Sequence, residues 1–371
     1  MHWKHVLVRG ALLAGAWMAS SCAPTGFADE TLVATVRILA SSSDPAYAQP
    51  GSSVDVQVLA FDGRPTAPEP MSIYWLPFLC EDPAEDAYYA CFQQLGAGDG
   101  GVPDAGDGGA GSAGIGALRP GVDLTPFLPT GPSYQFQMPG DIVSRHTPIP
   151  GEPAPYGLGI LFNVACAGHL ELLQPDPSND NPQQVPIGCF DSSENQLGAD
   201  DWVLGFTRVY AFDADAGADG GPITNANPVI SSIDVAGSPL SVALSPGTTQ
   251  VYTTQTFTTS HCTADRRSDC PHIAIGPLVP QSSWEELDPV QLDVNGNPEH
   301  EEIWADFYST FGQFTGDASL LYDSIKGYIG GPSVTDNQFL PPDQPGTGFI
   351  WIVVHDNRGG ASWVTIPVQV N

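Results

Sequence analysis

Apolar positions recur at every second residue along most of this chain, the period of strands whose side chains alternate between two faces. Over 31–40, Leu32, Val36 and Ile38 share one face. Over 54–60, Val54, Val56, Val58 and Ala60 do the same, and over 72–76 Ile73 and Trp75 alternate. Leu158, Ile160, Phe162 and Val164 mark a strand over 157–165, and Leu204, Phe206, Tyr210 and Phe212 another over 203–212. Further on, Val229, Ser231, Ile233 and Val235 alternate, 248–258 is Thr-rich and strand-like, and 302–311 reads as a strand with Trp304 and Phe307. The stretch 317–328 fits a short helix or a strand. The strongest local signal is a hairpin pairing 349–355 with 361–370 through Asp356-Asn357-Arg358-Gly359-Gly360, where Asn and Gly tolerate positive φ. Helical spacing is scarce.

Two stretches interrupt this pattern. Residues 96–116 are almost entirely Gly, Asp and Ala, and 213–221 repeat the theme. Such composition buries too little apolar surface to offset chain entropy, so both are expected to be flexible. The layout that follows is all-β. A β-sandwich unit over 31–212 carries the 96–116 insertion, a linker spans 213–224, and a second sandwich covers 225–371. A length of 371 residues agrees with more than one domain.

Charge narrows the partners. Asp and Glu number 42 against 11 Lys and Arg, a net of −31. That balance argues against nucleic acid, which needs a basic face to displace counterions, and against a polybasic membrane surface. It permits weak collection of divalent cations such as Ca2+.

The N-terminus points to export. Lys4 and Arg9 precede a mostly apolar run over 6–17, followed by Met18-Ala19-Ser20-Ser21-Cys22. This reads as a signal peptide over 1–21. The small residues before Cys22 resemble the lipobox of bacterial lipoproteins, with Ala19 standing where Leu is usual. That resemblance implies lipidation of Cys22, a tether over 22–30 and, with Ala23 rather than Asp next, an outer-membrane lipoprotein. A secretory signal cut after Ser21 or Ala28 is the alternative, giving a periplasmic or secreted protein. The other six cysteines, Cys80, Cys91, Cys166, Cys189, Cys262 and Cys270, suggest three disulfides in an exported chain. Of 15 possible pairings, the local one joins each cysteine to its sequence neighbour.

Ala48-Gln49-Pro50-Gly51 before an alternating strand, then Tyr74-Trp75 on the next, resembles the start of an immunoglobulin-like or PKD-like domain. The 348–370 run resembles the last hairpin of another. The order of lipobox, Pro-Gly strand entry, Asn227-Pro228-Val229-Ile230 and the Asp-Asn-Arg-Gly-Gly turn resembles uncharacterised lipoproteins of gliding, predatory soil bacteria. The resemblance implies fold and location and brings no catalytic residues.

Candidate chemistry is sparse. His261-Cys262 and Cys270-Pro271-His272 offer four zinc ligands, but an exported chain oxidises such a pair, and adjacent His-Cys ligands fit a tetrahedron poorly. Asp213, Asp215 and Asp219 alternate like a calcium loop, yet Gly217 and Thr224 stand where an Asp or Asn and a bidentate Glu belong. Asp99, Asp104 and Asp107 are a similar scatter. His169, His300 and His355 each occur singly, with Asp356 beside His355 as a possible orienting acid. Arg358 is expected to bond backbone carbonyls or an acid. Glu285-Glu286 and Glu301-Glu302 are adjacent pairs, which a strand sends to opposite faces, so neither makes a dyad. Trp202, Trp284, Trp351 and Trp363 are the candidate stacking platforms for sugar rings.

The sequence therefore predicts a non-catalytic, lipid-anchored envelope protein that binds or scaffolds a protein or polysaccharide, with no cofactor and no metal site. A carbohydrate-binding module is the first alternative, favoured by exposed aromatics. A secreted hydrolase around His355 is the second.

Overall fold

The computed structural model describes residues 30–92, 121–147, 154–173, 186–217, 220–244, 250–287, 291–292, 295–329 and 337–371. The signal segment, Cys22, all but the last residue of the tether, and the 96–116 insertion lie outside them. Within the described residues, Thr31–Asn371 form one compact unit.

The first half contributes β1 (Val36–Asp44), β2 (Tyr47–Ala48), β3 (Ser53–Asp62), β4 (Ser72–Glu81), β5 (Ser133–Gln137), β6 (Gly157–Cys166), β7 (His169–Leu172), β8 (Ile187–Phe190) and β9 (Trp202–Ala211). One sheet orders β1-β3-β5 and a second orders β2-β9-β6-β4, with β7 and β8 as a separate hairpin. The alternation of β3 sends Val54, Val56 and Val58 against Trp75, Leu161 and Val209 of the facing sheet, which makes a sandwich. Trp75 is fully buried, and its Nε1–H donates to the Gly131 carbonyl at 2.8 Å, so the indole's one polar atom is satisfied. The second sheet is covered on its far side too. Leu158, Ile160, Phe162 and Val164 meet Leu76, Phe92, Leu124, Leu170 and Ile187 there. All ten residues of β6 are therefore buried, and its predicted alternation separates two apolar layers rather than core from solvent.

The second half contributes β10 (Ser232–Val235), β11 (Ser238–Leu244), β12 (Val251–Thr253), β13 (Phe257–Thr259), β14 (Ile273–Leu278), β15 (Ile303–Ser309), β16 (Gln313–Phe314), β17 (Ala318–Asp323), β18 (Gly327–Tyr328), β19 (Asn337–Leu340), β20 (Gly346–Asp356) and β21 (Ala361–Val370). Eleven of them join in one path, β16-β19-β14-β10-β11-β12-β21-β20-β15-β17-β18, and β13 joins the same sheet off it, on β21. It wraps around a single core, in which Ile233, Ile275 and Phe339 face Phe307, Ile352, Val364 and Ile366. In both halves an early strand lies parallel beside the last one: β2 on β9, and β12 and β13 on β21. This is the immunoglobulin-like arrangement.

The halves stack sheet on sheet. Leu39, Leu59 and Phe61 on the outer face of the first sandwich pack on Trp351, and Ala40 packs on Val353 and Trp363. A buried and a half-buried amide stitch the joint. Gln250 donates from Nε2 to Ser42 Oγ at 3.0 Å and accepts the Trp363 N–H at 2.8 Å. Asn227 donates to the Ser43 carbonyl at 2.8 Å and accepts the Ala361 N–H at 2.9 Å.

Several elements differ from the sequence expectation. The first strand begins at Val36, because 31–33 instead pair with Ser309 of the second half, Val33 N–H donating to its carbonyl at 2.8 Å. The Thr-rich stretch splits into β12 and β13. The ambiguous 317–328 stretch is strand, not helix, and pairs with β15.

Candidate functional site

The hairpin turn after β20 points back into the joint between the halves. Alternation places Asp356 inward, 3% exposed, and His355 on the opposite face. Asp356 Oδ1 accepts the N–H groups of Arg358 and Gly360, both at 2.8 Å, and Asn225 Nδ2 donates to the carboxylate at 3.3–3.4 Å. Close packing in the turn excludes a side chain at 360, since a Cβ there would fall 2.0 Å from Asp356 Oδ2.

Arg358 is the hub of this cluster. Its side chain is 8% exposed, with Nη1 at 3.5 Å from Glu285 Oε2 and 3.6 Å from Glu301 Oε2. Its Nη2 donates to the Thr224 carbonyl, and the guanidinium lies 5.1 Å from the ring centre of Tyr47 in the first half. Glu301 is fully buried, and its Oε2 has no hydrogen-bond partner among the described residues. Burial, reinforced by the neighbouring Asp356 charge, pushes the Glu301 carboxyl up to about 8. Burial also raises Asp356, and it raises the Tyr47 phenol despite the nearby Arg358.

Beside this cluster a cleft of about 830 Å³ opens between the halves. The second half lines it with Glu299, His300, Glu302, Asn357 and Arg358. The first half gives an aromatic wall of Tyr47, Tyr156, Phe206, Tyr210 and Phe212. Their rings sit edge to face or tilted, Tyr47–Phe212 at 5.0 Å and Tyr156–Tyr210 at 5.4 Å. Asp86 accepts from the Tyr156 hydroxyl at 2.5 Å and pairs with His146 Nε2 at 3.0 Å. Arg208 is exposed, with its guanidinium 5.2 Å from the Phe206 ring centre.

Cys80 joins Cys91, Cys166 joins Cys189 and Cys262 joins Cys270, so no thiolate in the His261–His272 group is free to ligate zinc. His261 instead hydrogen-bonds the Asn371 carbonyl at 2.6 Å. Asp213 and Asp215 are exposed, and Asp219 lies outside the described residues. Asp356 does not orient His355, because adjacent strand residues point to opposite faces. His355 stacks on Trp304 at 5.2 Å, with Nε2 at 3.1 Å from Asp306 Oδ2. Trp351 and Trp363 are buried between the halves and cannot be sugar platforms. Trp284 is covered by His300, ring centres 3.8 Å apart, and Trp202 packs on the first core.

Glu285 and Glu301 belong to separate adjacent pairs along the chain, yet Arg358 brings these two together. Nothing in the local sequence marks Tyr47, Tyr156, Phe206, Tyr210 and Phe212, which only the fold gathers on one wall. Nor is His169 single: its Nε2 lies 3.1 Å from Glu171 Oε1 and 3.6 Å from Glu194 Oε2.

No helix of the described residues is long and apolar enough to cross a membrane. Three disulfides suit an oxidising compartment outside the cytoplasm. No family model matches the chain, and no curated protein does. Among solved structures, the D0-D1 domain of intimin is similar over 90% of this chain and 98% of its own, at 7% identity and a TM-score of 0.17.

Proposed function

We propose that this is a non-catalytic, lipid-anchored envelope protein that holds an extracytoplasmic partner in the cleft between its two stacked sandwiches. The observation that carries the reading is the cleft itself. It is lined from both halves, with aromatic rings from the first facing charged and polar groups from the second. The buried joint beside it gives a rigid frame, which lowers the ordering cost of binding. The disulfides and the lipobox-like run ending at Cys22 support a tethered position outside the cytoplasm.

A polysaccharide is the partner class that the aromatic wall favours. The half-buried Tyr210 and Phe212 line the cleft where a sugar ring could lie against them, while Asp86, Glu299, Glu302 and Asn357 supply acceptors for hydroxyl groups.

The test is to express the full chain and its Cys22→Ala variant in a Gram-negative host. A diacylglyceryl mass increment on the mature N-terminus, lost in the variant together with membrane partitioning, is the expected result. An unmodified N-terminus at Ala23 or Asp29 overturns the anchored reading.

A further inference from the structure

The β7–β8 hairpin carries a cluster of its own, and none of its residues lines the cleft. His169 and Glu171 are two apart on β7, so their side chains share a face. Glu194 reaches the same point from the turn after β8, where Asp191 Oδ1 accepts the N–H groups of Ser193 at 2.8 Å and Asn195 at 2.9 Å. The Cys166–Cys189 disulfide ties β8 to the end of β6, three residues before His169. The His169 and Glu171 side chains are 18% and 11% exposed, whereas Glu194 is 73% exposed.

Two carboxylates thus converge on one ring nitrogen, at 3.1 and 3.6 Å. A single N–H serves one acceptor well, not two. One ligand atom from each of the three side chains lies within 4.8 Å of the others. A tetrahedral ion bound at about 2.0–2.2 Å sets its ligands roughly 3.3–3.6 Å apart, which the two measured spacings bracket. Glu69 and Asp191 stand close enough to interact electrostatically with His169 and add to the local excess of negative charge.

We propose that His169, Glu171 and Glu194 form a divalent transition-metal site of the Zn2+ class. One imidazole and two carboxylates suit that class, whereas Ca2+ takes six to eight oxygens. Three protein ligands leave a fourth position open to water or to a group on a partner. The inference goes beyond the cleft and stands independently of it.

The test uses the full chain carrying Cys22→Ala, so that no free thiol competes, freed of metal by chelation. Zn2+ is titrated by calorimetry, and Co2+ by its visible absorption. One saturable ion per chain is expected. His169→Asn and Glu171→Gln should each weaken it at least about tenfold. Glu194→Gln should weaken it by a similar factor, and at an exposed turn position it spares the fold. Asp213→Asn with Asp215→Asn should change nothing. Binding no tighter than millimolar overturns the proposal, as does equal affinity in wild type, His169→Asn and Glu194→Gln, which would mean diffuse attraction to surface acids.

Discussion

The guanidinium of Arg358 lies 5.1 Å from the ring centre of Tyr47, so one side chain of the second sandwich caps an aromatic of the first while holding Glu285 and Glu301 beneath it. Removing that charge leaves the buried Glu301 and the half-buried Glu285 without their cation, a loss of about 3–5 kcal/mol for breaking a buried pair. Arg358→Met keeps the stem that covers Tyr47. Denaturant unfolding should show a loss of this order at pH 9 and a smaller one at pH 6, where Glu301 is protonated and asks for no partner. An equal loss at both pH values would disconnect Arg358 from Glu301.

Glu301 itself sets an unusual pH profile. Its folded pKa of about 8 lies above the unfolded value of about 4.5, so the folded state binds the extra proton between these limits. Stability therefore falls as pH rises from about 4.5 to 8 and levels off above, the reverse of a salt-bridged carboxylate. The shift corresponds to an upper figure on the order of 4–5 kcal/mol. Asp356, also raised, adds in the same direction. The melting temperature should drop from pH 6 to pH 9, and Glu301→Gln should remove most of that drop. A drop of unchanged size in Glu301→Gln would assign the profile to other groups.

The long strands were legible because alternation needs only neighbours: β3, β6, β9, β20 and β21 all sit on the predicted runs. Short strands such as β5, β8 and β19 were not, since four or five residues carry too few periods to rise above the surrounding Pro and Gly. The charged cluster was legible only in part. Alternation says that Glu301 and Glu302 part company, and likewise His355 and Asp356. It does not say which member turns inward, because that depends on which face of β15 and β20 meets the partner sheet. The contact between Glu301 and Arg358 spans 57 residues and has no local signal. Trp351 and Trp363 misled for the same reason. An apolar outer face reads as a binding surface until a second sandwich covers it.

That covered face should make the halves unfold together. Trp351 is 3% exposed, tilted against Phe61 at 4.8 Å between ring centres. Calorimetry of the wild type should give one cooperative transition. Trp351→Ala should cost about 3–5 kcal/mol and separate the transition into two. Two independent transitions in the wild type would mean that the joint is weak.

The disulfides should rank by loop length. Their separations are 8 residues for Cys262–Cys270, 11 for Cys80–Cys91 and 23 for Cys166–Cys189. Cross-linking restricts the unfolded chain more as the loop grows, to about 3 kcal/mol near 15 residues. Paired Cys→Ala variants should lose stability in that order, with Cys166→Ala/Cys189→Ala worst by denaturant midpoint. A reversed order would place native packing around Cys262 or Cys80 above chain entropy.

The cleft separates a sugar ligand from a purely structural groove. Arg208 is exposed, and Tyr210 is part of the wall, so Arg208→Ala touches no core and Tyr210→Ala removes one stacking face. Stacking of one ring contributes about 0.5–1.5 kcal/mol beyond its buried area, so loss of stacking and area together should weaken binding of a soluble polysaccharide fragment roughly tenfold. Trp351→Phe, buried at the joint, should leave the affinity unchanged. Calorimetric titration with fragments of envelope polysaccharide measures all three variants. If Tyr210→Ala and Arg208→Ala bind as tightly as the wild type, the wall does not hold the sugar. If Trp351→Phe alone weakens binding, the ligand reads the geometry of the joint and not the rings that line the cleft.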